Sequence, residues 1–506
     1  MNIAIRVDAS PQIGTGHFMR CLTLAEALKP RGARVRVISR YMPEYLRDMA
    51  EEQGYELILL ESPAEGGVDD LAHSHWLGTT QHIDAQDSLR ALSDKAWDWV
   101  IVDHYALDQR WESALSLSVK HICVIDDLAD RQHECDVLLD QNYYADMHTR
   151  YTRKVPVHCR LLLGPHYALL REEFRQLRQQ VKPRTGPVKR ILVFFGGVDI
   201  DNYTGRAIDA LVDLDMKGLH IDVDVVIGAQ HPYREQIQNA CAEYGFTCYV
   251  QTNRMAELMA VADLAIGAGG SATWERCCLG LPTYALCLAD NQARQLADSA
   301  AIGLLYAPDI KDDFHDSFKK HLCALIENSA LRRLFSHNAT HAVDGRGILR
   351  VIRAMGFAGI EAKFATEDDS AKLFQWRNHV TVRTVSRNTE VISWNDHQQW
   401  FSDVLSSPLK VLLIGYLLDV PVGVVRFDIK DDTAEVSIYL VPGTDGMGRG
   451  RGLLESAERY LKTYKPEINK LFACVLGSNE RSHHLFLGAD YKIESTIYSK
   501  LLCADD

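Results

Sequence analysis

The sequence lacks any apolar run near the roughly 18 to 20 residues that span a bilayer; its best, 411–418, has the length of a strand. No membrane partner is expected. An uninterrupted apolar opening is missing too, because Arg6 and Asp8 stand inside the first apolar segment. That excludes a secretory h-region and leads to the expectation of a cytoplasmic protein. The 12 cysteines contain no CxxC pair, and the neighbours Cys277 and Cys278 cannot easily bridge, so the thiols read as reduced and mostly buried. Basic charge is in deficit: 55 Lys and Arg stand against 68 Asp and Glu, a net −13. Such a balance argues against a nucleic-acid partner and leaves local basic sites for phosphates open. Internal repeats and low-complexity segments are absent as well. What is there is 506 residues of ordinary globular composition, 47% hydrophobic and 24% charged, enough for about three domains.

Up to about 359, short runs rich in Val and Ile alternate with helical stretches: 2–7, 35–38, 56–60, 97–102 and 122–125, then 191–195, 223–227, 264–266 and 283–286. Bounded by Gly, Asp or Ser, they suit parallel strands buried on both faces. A charged helical segment, 170–181, leads into Lys182-Pro183-Arg184-Thr185-Gly186-Pro187, where the rhythm restarts. Beyond 359 the runs 411–418, 422–428 and 434–440 follow closely, as in an antiparallel meander. The expectation is an α/β chain with domains at 1–182, 188–355 and 360–506. Two tandem α/β domains commonly hold a ligand in the cleft at the carboxyl ends of their strands.

Two glycine turns stand where such a cleft needs them. After the first strand, Gly14, Gly16 and His17 precede a helical pattern, and further on Gly269, Gly270 and Ser271 lead into a helix carrying Glu275. Glycines at a strand-to-helix turn let backbone N–H groups approach an anion, so the two cradles together suit a nucleotide diphosphate. Glu275 is placed to accept from ribose hydroxyls, or is a first-turn acid favoured by the helix dipole. An imidazole at the mouth of a cleft is suited to take a proton from water, which makes His17 a candidate base, with Asp8 orienting it or the sugar, or serving loop hydrogen bonding. His73-Ser74-His75 and His133-Glu134-Cys135 lie outside the motif loops and read as surface polar residues, so no metal is expected.

The second half resembles nucleotide-sugar glycosyltransferases of the GT-B fold, of the MurG type, in its GlyGlySer…Glu region and Asp290-Asn291-Gln292. More closely, Arg6 to Ser10 through Gly14-Thr15-Gly16-His17, Val102-Asp103-His104-Tyr105, Ile125-Asp126-Asp127, Asp140-Gln141-Asn142, the run from Gly164 to Phe174 and Phe195-Gly196-Gly197-Val198-Asp199 resemble the PseG family. These are UDP-2,4-diacetamido-2,4,6-trideoxy-β-L-altropyranose hydrolases of pseudaminic acid biosynthesis. The resemblance implies two Rossmann-like domains of GT-B type and hydrolysis with inversion, a water attacking the anomeric carbon while UDP leaves. It implies His17 as general base, Tyr105 as an active-site tyrosine, Glu275 on the ribose, and Asn291 and Gln292 on the hexose.

In the last third, Gly446-Met447-Gly448-Arg449-Gly450-Arg451-Gly452 follows a strand and opens a helix with Leu453, Ala457 and Leu461 on its apolar face. Alternating glycines make a pyrophosphate nest to which Arg449 and Arg451 add charge, which suits coenzyme A, another phosphate ligand or a surface turn. The stretch resembles the GNAT acetyltransferase superfamily, with Met447 where the motif has Arg or Gln. Asn479, Ser482 and Leu485-Phe486 resemble its Asn-x-x-Ser-x-x-Leu-Tyr motif, with Phe486 in the place of an acid tyrosine. Tyr491, His483 and His484 are the alternatives for that acid. Trp376, Arg377 and Asn378, with 392–401, resemble the acceptor side of PseH acetyltransferases; otherwise they form an amphipathic helix with core tryptophans. Glu435 and Ser437 are suited to pass the amine proton through water, and the strand ending at Leu440 to pair with the pantetheine arm of acetyl-CoA. Together the resemblances imply an acetyl-CoA-dependent acetyltransferase and a UDP-sugar hydrolase in one chain, adjacent steps of a route that in the family serves surface glycans such as flagellin. A glycosyltransferase fused to an acetyltransferase, or a nucleotide-sugar sensor without catalysis, are the competing readings.

Overall fold

The computed structural model describes residues 1–10, 12–62, 67–181, 183–215, 220–308, 314–357, 359–417, 419–444 and 449–495. They form two compact units, 1–27 with 33–356 and 28–32 with 357–506. No helix among the described residues is long and apolar enough to cross a membrane.

The first unit holds two parallel sheets. In the first, β1 (Asn2–Val7), β2 (Arg34–Ser39), β3 (Glu56–Leu59), β4 (Trp97–Asp103), β5 (Val119–Ile125), β6 (Val137–Asp140) and β7 (Arg160–Leu163) lie in the order β3-β2-β1-β4-β5-β6-β7. Helices cover both faces, so β1 and β4 are buried nearly end to end, and Trp97, Val100, Trp111, Leu138 and Tyr151 fill one of the cores. The second sheet orders β8 (Arg190–Phe194), β9 (Asp222–Ile227), β10 (Thr247–Val250), β11 (Leu264–Ala268) and β12 (Thr283–Leu286) as β10-β9-β8-β11-β12. Its core gathers Ile191, Val225, Ile266, Tyr284 and Phe318. Each sheet has one topological switch point, between β1 and β4 and between β8 and β11, where a ligand crevice is expected at the carboxyl ends. Four inner strands of the first sheet lead into acids there: Asp8 follows β1, Asp103 closes β4, Asp126 and Asp127 follow β5, and Asp140 closes β6. The charged helix expected over 170–181 is confined to Glu172–Arg178, because Arg171 is extended at its N-terminus.

The second unit is one five-stranded sheet ordered β13 (Glu361–Phe364), β14 (Lys410–Leu417), β15 (Val420–Lys430), β16 (Thr433–Leu440) and β17 (Lys470–Phe472). The first four are antiparallel, whereas β17 runs parallel to β16 over only three residue pairs, Thr433 with Lys470 to Glu435 with Phe472. Past that point the two strands part. The helix Arg449–Tyr464 buries Leu453, Leu454, Ala457 and Leu461 against Val411, Leu413, Val425 and Phe427. It lies so close that a Cβ on Gly415 or Gly423 would come within 2.2 or 2.4 Å of Leu453. The helices Ser370–Asn378 and Trp394–Ser406 pack Leu373, Phe401 and Val404 with Leu412, Ile414 and Val424 of the sheet.

Candidate functional sites

At the first switch point the chain leaves β1 through Gly14, whose φ of 78° a side chain would strain and whose N–H donates to the Ser10 carbonyl at 2.7 Å. Gly16 then opens the helix Gly16–Leu28, so His17 stands in its first turn with a side chain 10% exposed. His17 Nδ1 lies 2.5 Å from Oδ1 of Asp103, the last residue of β4. Arg20, three residues on, donates to the same carboxylate at 2.6 and 2.7 Å and reaches Asp127 at 3.1 Å. Burial alone would raise the Asp103 carboxyl, but the Arg20 charge, aided by His17, holds it well below the usual range. An ionised carboxylate only accepts, so His17 carries its proton on Nδ1 and keeps Nε2 as the basic nitrogen. Tyr105 sets its ring edge to His17 with centroids 4.6 Å apart and donates its hydroxyl to Asp127. Burial, and then Asp127, push that hydroxyl far up, so it stays a donor. Trp76 stacks on Tyr105 at 5.5 Å and His73 lies against both rings.

Asp8 does not orient His17. It is wholly buried, accepts from Arg6 at 2.6 Å, from Ser39 and from the Arg40 amide, and lies 3.2 Å from His104. Burial would raise its carboxyl, but Arg6 outweighs that and holds it far below the usual range. The residue fixes the floor of the loop, with Arg6 and Arg40 also bound to Asp84. The orienting carboxylate is Asp103, to which the sequence reading gave no role; Arg20 and Asp127 were missed likewise. Two signals point to them: His17 and Arg20 share a helix face at i, i+3, and β1, β4, β5 and β6 each end in or run into an acid.

At the second switch point Gly269 has no room for a side chain, since a Cβ would meet Leu296 at 2.6 Å, while Gly270 faces open space. Ser271 precedes the helix Ala272–Cys278 and makes no side-chain cap bond. Glu275 is 22% exposed with Arg171 4.0 Å away, and burial raises its carboxyl. Gln292 turns its side-chain oxygen back to the Leu288 amide at 3.4 Å. Asn291 lies in the helix Asp290–Ala301, and its side chain is outside the described residues. Trp274 is fully buried and donates to Asn142 at 2.9 Å, which donates to Asp127 at 3.2 Å. The second glycine turn is thereby tied to the His17 network through three side chains.

In the second unit the expected residues divide. Gly448 lies outside the described residues, and Arg449, Gly450, Arg451 and Gly452 form the first turn of the helix Arg449–Tyr464 rather than the loop before it. Arg449 reaches the Thr444 carbonyl at 3.5 Å, and Arg451 pairs with Glu455 of its own helix at 2.7 Å. Leu440 ends β16 in the segment that β17 leaves unpaired. Asn479 is a helix cap: its side chain accepts from the Ser482 amide at 3.1 Å. Tyr491 gives its hydroxyl to Glu458 at 2.7 Å, and burial with Glu458 raises it beyond an acid's useful range. Trp376 packs against the apolar core. Asn378 clasps the backbone of Ile392 through both ends of its amide, each at 2.9 Å. Arg377 and Glu435 keep polar surroundings: Glu435 is ion-paired with Arg387, and Arg377 Nη1 is buried without a partner.

Among the described residues no group of three His, Cys, Asp or Glu side chains is arranged to hold a metal ion. His133 instead is buried and pairs with Glu112 at 2.7 Å.

Residues 373–489 match the family model described as Acetyltransferase (GNAT) family. An uncharacterized protein of Methanocaldococcus jannaschii is 22% identical over 422 residues, 79% of this chain and 78% of that protein. That alignment covers about 400 positions here, more than the first unit contains, and so extends into the second. The UDP-2,4-diacetamido-2,4,6-trideoxy-β-L-altropyranose hydrolase of Campylobacter jejuni is 24% identical over 296 residues, 58% of this chain and 93% of that enzyme. The spore coat polysaccharide biosynthesis protein SpsG of Bacillus subtilis is 24% identical over 359 residues, 69% of this chain and 96% of that protein. Two Rossmann-like parallel sheets thus lie in the region similar to the PseG-type hydrolase, and a segment matching the GNAT acetyltransferase family follows at residues 373–489.

Proposed function

We propose that the chain is a bifunctional enzyme of pseudaminic acid biosynthesis. The first unit hydrolyses UDP-2,4-diacetamido-2,4,6-trideoxy-β-L-altropyranose, and the second acetylates the 4-amino group of its precursor from acetyl-CoA. The carrying observation is the His17–Asp103 pair, 2.5 Å apart at the switch point of the first sheet. With Nδ1 protonated, Nε2 takes a proton from water as the oxygen attacks the anomeric carbon. The C–O bond to UDP breaks on the opposite face, inverting the centre. Amides around Gly269, Gly270 and Ser271 receive the charge developing on the diphosphate, Glu275 holds the ribose, and Asn291 and Gln292 meet the hexose. Tyr105, its proton retained, orients the water or the sugar.

In the second unit the unpaired part of β16, through Leu440, takes the pantetheine arm, and the first turn from Arg449 to Gly452 meets the pyrophosphate. The acceptor amine attacks the thioester carbonyl, its proton passes through water to Glu435, and coenzyme A leaves as a thiolate that solvent protonates. Incubating the full chain with UDP-4-amino-4,6-dideoxy-N-acetyl-β-L-altrosamine, with and without acetyl-CoA, tests both steps by mass spectrometry and NMR. Free diacetamido sugar and UDP are expected only when acetyl-CoA is present, and His17→Ala should accumulate the acetylated nucleotide. Acetylation without UDP release, in the unsubstituted chain, would remove the hydrolase assignment.

A further inference from the structure

Four arginines gather where the sheet of the second unit faces the helices Ser370–Asn378 and Trp394–Ser406. Arg426 on β15 stands opposite Ser437 of β16, and Asp428 opposite Glu435. Arg426 pairs with Asp428 at 2.7 Å and Arg387 with Glu435. Among the described residues Arg377 and Arg383 donate to backbone carbonyls, Asn388 at 3.1 Å for the first, Asn378 and Thr389 at 3.0 and 2.8 Å for the second, and Arg377 also interacts with Tyr439. Four cations thus meet two carboxylates. Arg377 bears the strain of this arrangement: burial, and then Arg383 and Arg426, lower its pKa, and its Nη1 has no acceptor. A buried guanidinium N–H left unpaired is costly, and the group that satisfies it best is a phosphate or carboxylate taken in two-pronged fashion.

Arg387 differs from the other three. It is exposed, belongs to the segment between the helices Val380–Arg383 and Trp394–Ser406, and interacts with both Glu435 and Cys474. Glu435 is the last residue of β16 paired to β17, and Cys474 lies two residues past the end of β17. Arg387 therefore lies across the point where the strands part, its charge on the carboxylate assigned to the amine proton.

We propose that this arginine set receives the phosphate of a phosphorylated amine, and that Arg387 is its movable member, released from Glu435 when the phosphate arrives. This deepens the acetyl-transfer reading and rests on it. Arg387 is then a positioning residue. In its resting contact it occupies the proton acceptor, and on exchange it binds the acceptor's anion and leaves Glu435 free beside the amine. A neutral amino sugar offers no charge to draw Arg387 away, so selection for an anionic acceptor follows from the same side chain.

The test compares two acceptors on the full chain, the UDP-linked amino sugar and the same amino sugar without UDP, counting every acetylated product by mass spectrometry. The unsubstituted chain should favour the nucleotide by about a hundredfold or more in kcat/KM, since two charge-assisted bonds are at stake. Arg387→Ala should raise KM for the nucleotide about tenfold while raising kcat for the free sugar, so the preference collapses. Arg387→Lys should restore part of it, and adding Glu435→Gln to Arg387→Ala should abolish the gain. Equal use of both acceptors by the unsubstituted chain, or an Arg387→Ala loss equal for both, would overturn the inference while leaving acetyl transfer in place. Acetylation of neither acceptor would overturn the acetyl-transfer reading and this inference with it.

Discussion

His17 depends on a carboxylate 86 positions along the chain, and that separation explains what the sequence could show. A histidine after two glycines at a strand end is conspicuous in a linear reading; its Asp103 partner becomes visible only when β1 and β4 lie side by side. Asp103→Asn should leave His17 in place but free to take the wrong tautomer. UDP release should fall by about 10² to 10⁴, the range general-base catalysis supplies, measured on the acetylated nucleotide. His133 offers a second test at this scale. Burial lowers its pKa, but the charge of Glu112, with Asp126, outweighs burial and raises it from 6.5 to about 9. A folded-state pKa above the unfolded one stabilises fully below pH 6.5, and that contribution disappears as pH climbs through about 9. The thermal midpoint should fall over that window, and His133→Gln should flatten the fall in differential scanning fluorimetry. In the second unit Asn378, Asn479 and Tyr491, expected at the acceptor side, the cofactor and the acid position, also bond a backbone segment, a helix end and Glu458. Spacing alone does not separate a cap from a contact.

At the scale of elements, the close approach of β11 to β8 makes Gly267 irreplaceable. A Cβ there would come 2.2 Å from the Phe194 carbonyl, which is backbone and cannot swing aside. Gly267→Ala should cost about 1 to 3 kcal/mol, as overpacking does, read in urea unfolding. It should also weaken UDP binding in calorimetry, because both strands frame the second switch point. The Val- and Ile-rich runs showed nine of the twelve strands of the two parallel sheets, since strands buried on both faces carry continuous apolar sequence, but not the four-residue β6, β7 and β10. The meander of β14, β15 and β16 was legible for the complementary reason, alternation on a sheet with differing faces. β17 was not: three residues, Lys470 to Phe472, are too few to show a period. The glycines 450 and 452 pointed to a loop by composition, whereas both stand in the first turn of a helix, where a Cβ would make ordinary contact with Leu485 at 3.5 Å and Ile360 at 3.6 Å.

At the scale of the whole molecule, each unit has its own hydrophobic cores and its own constellation of charged side chains. Substitutions in one should add to those in the other without coupling. Asp103→Asn with Glu435→Gln should therefore show in each assay the loss of the corresponding single substitution and no more; a rescue or a deeper loss would reveal communication. The change of rhythm near 359 and the unit beginning at Phe357 coincide with the passage from parallel sheets to a mainly antiparallel one. The parting of β16 from β17 after Glu435 carries a last consequence. Among the described residues no strand pairs with the side of 436–440 that points away from β15, so the main-chain hydrogens there should trade with deuterium quickly. An acyl donor laid along that edge acts as a temporary sixth strand, and the slowing of exchange there becomes a clock for its residence.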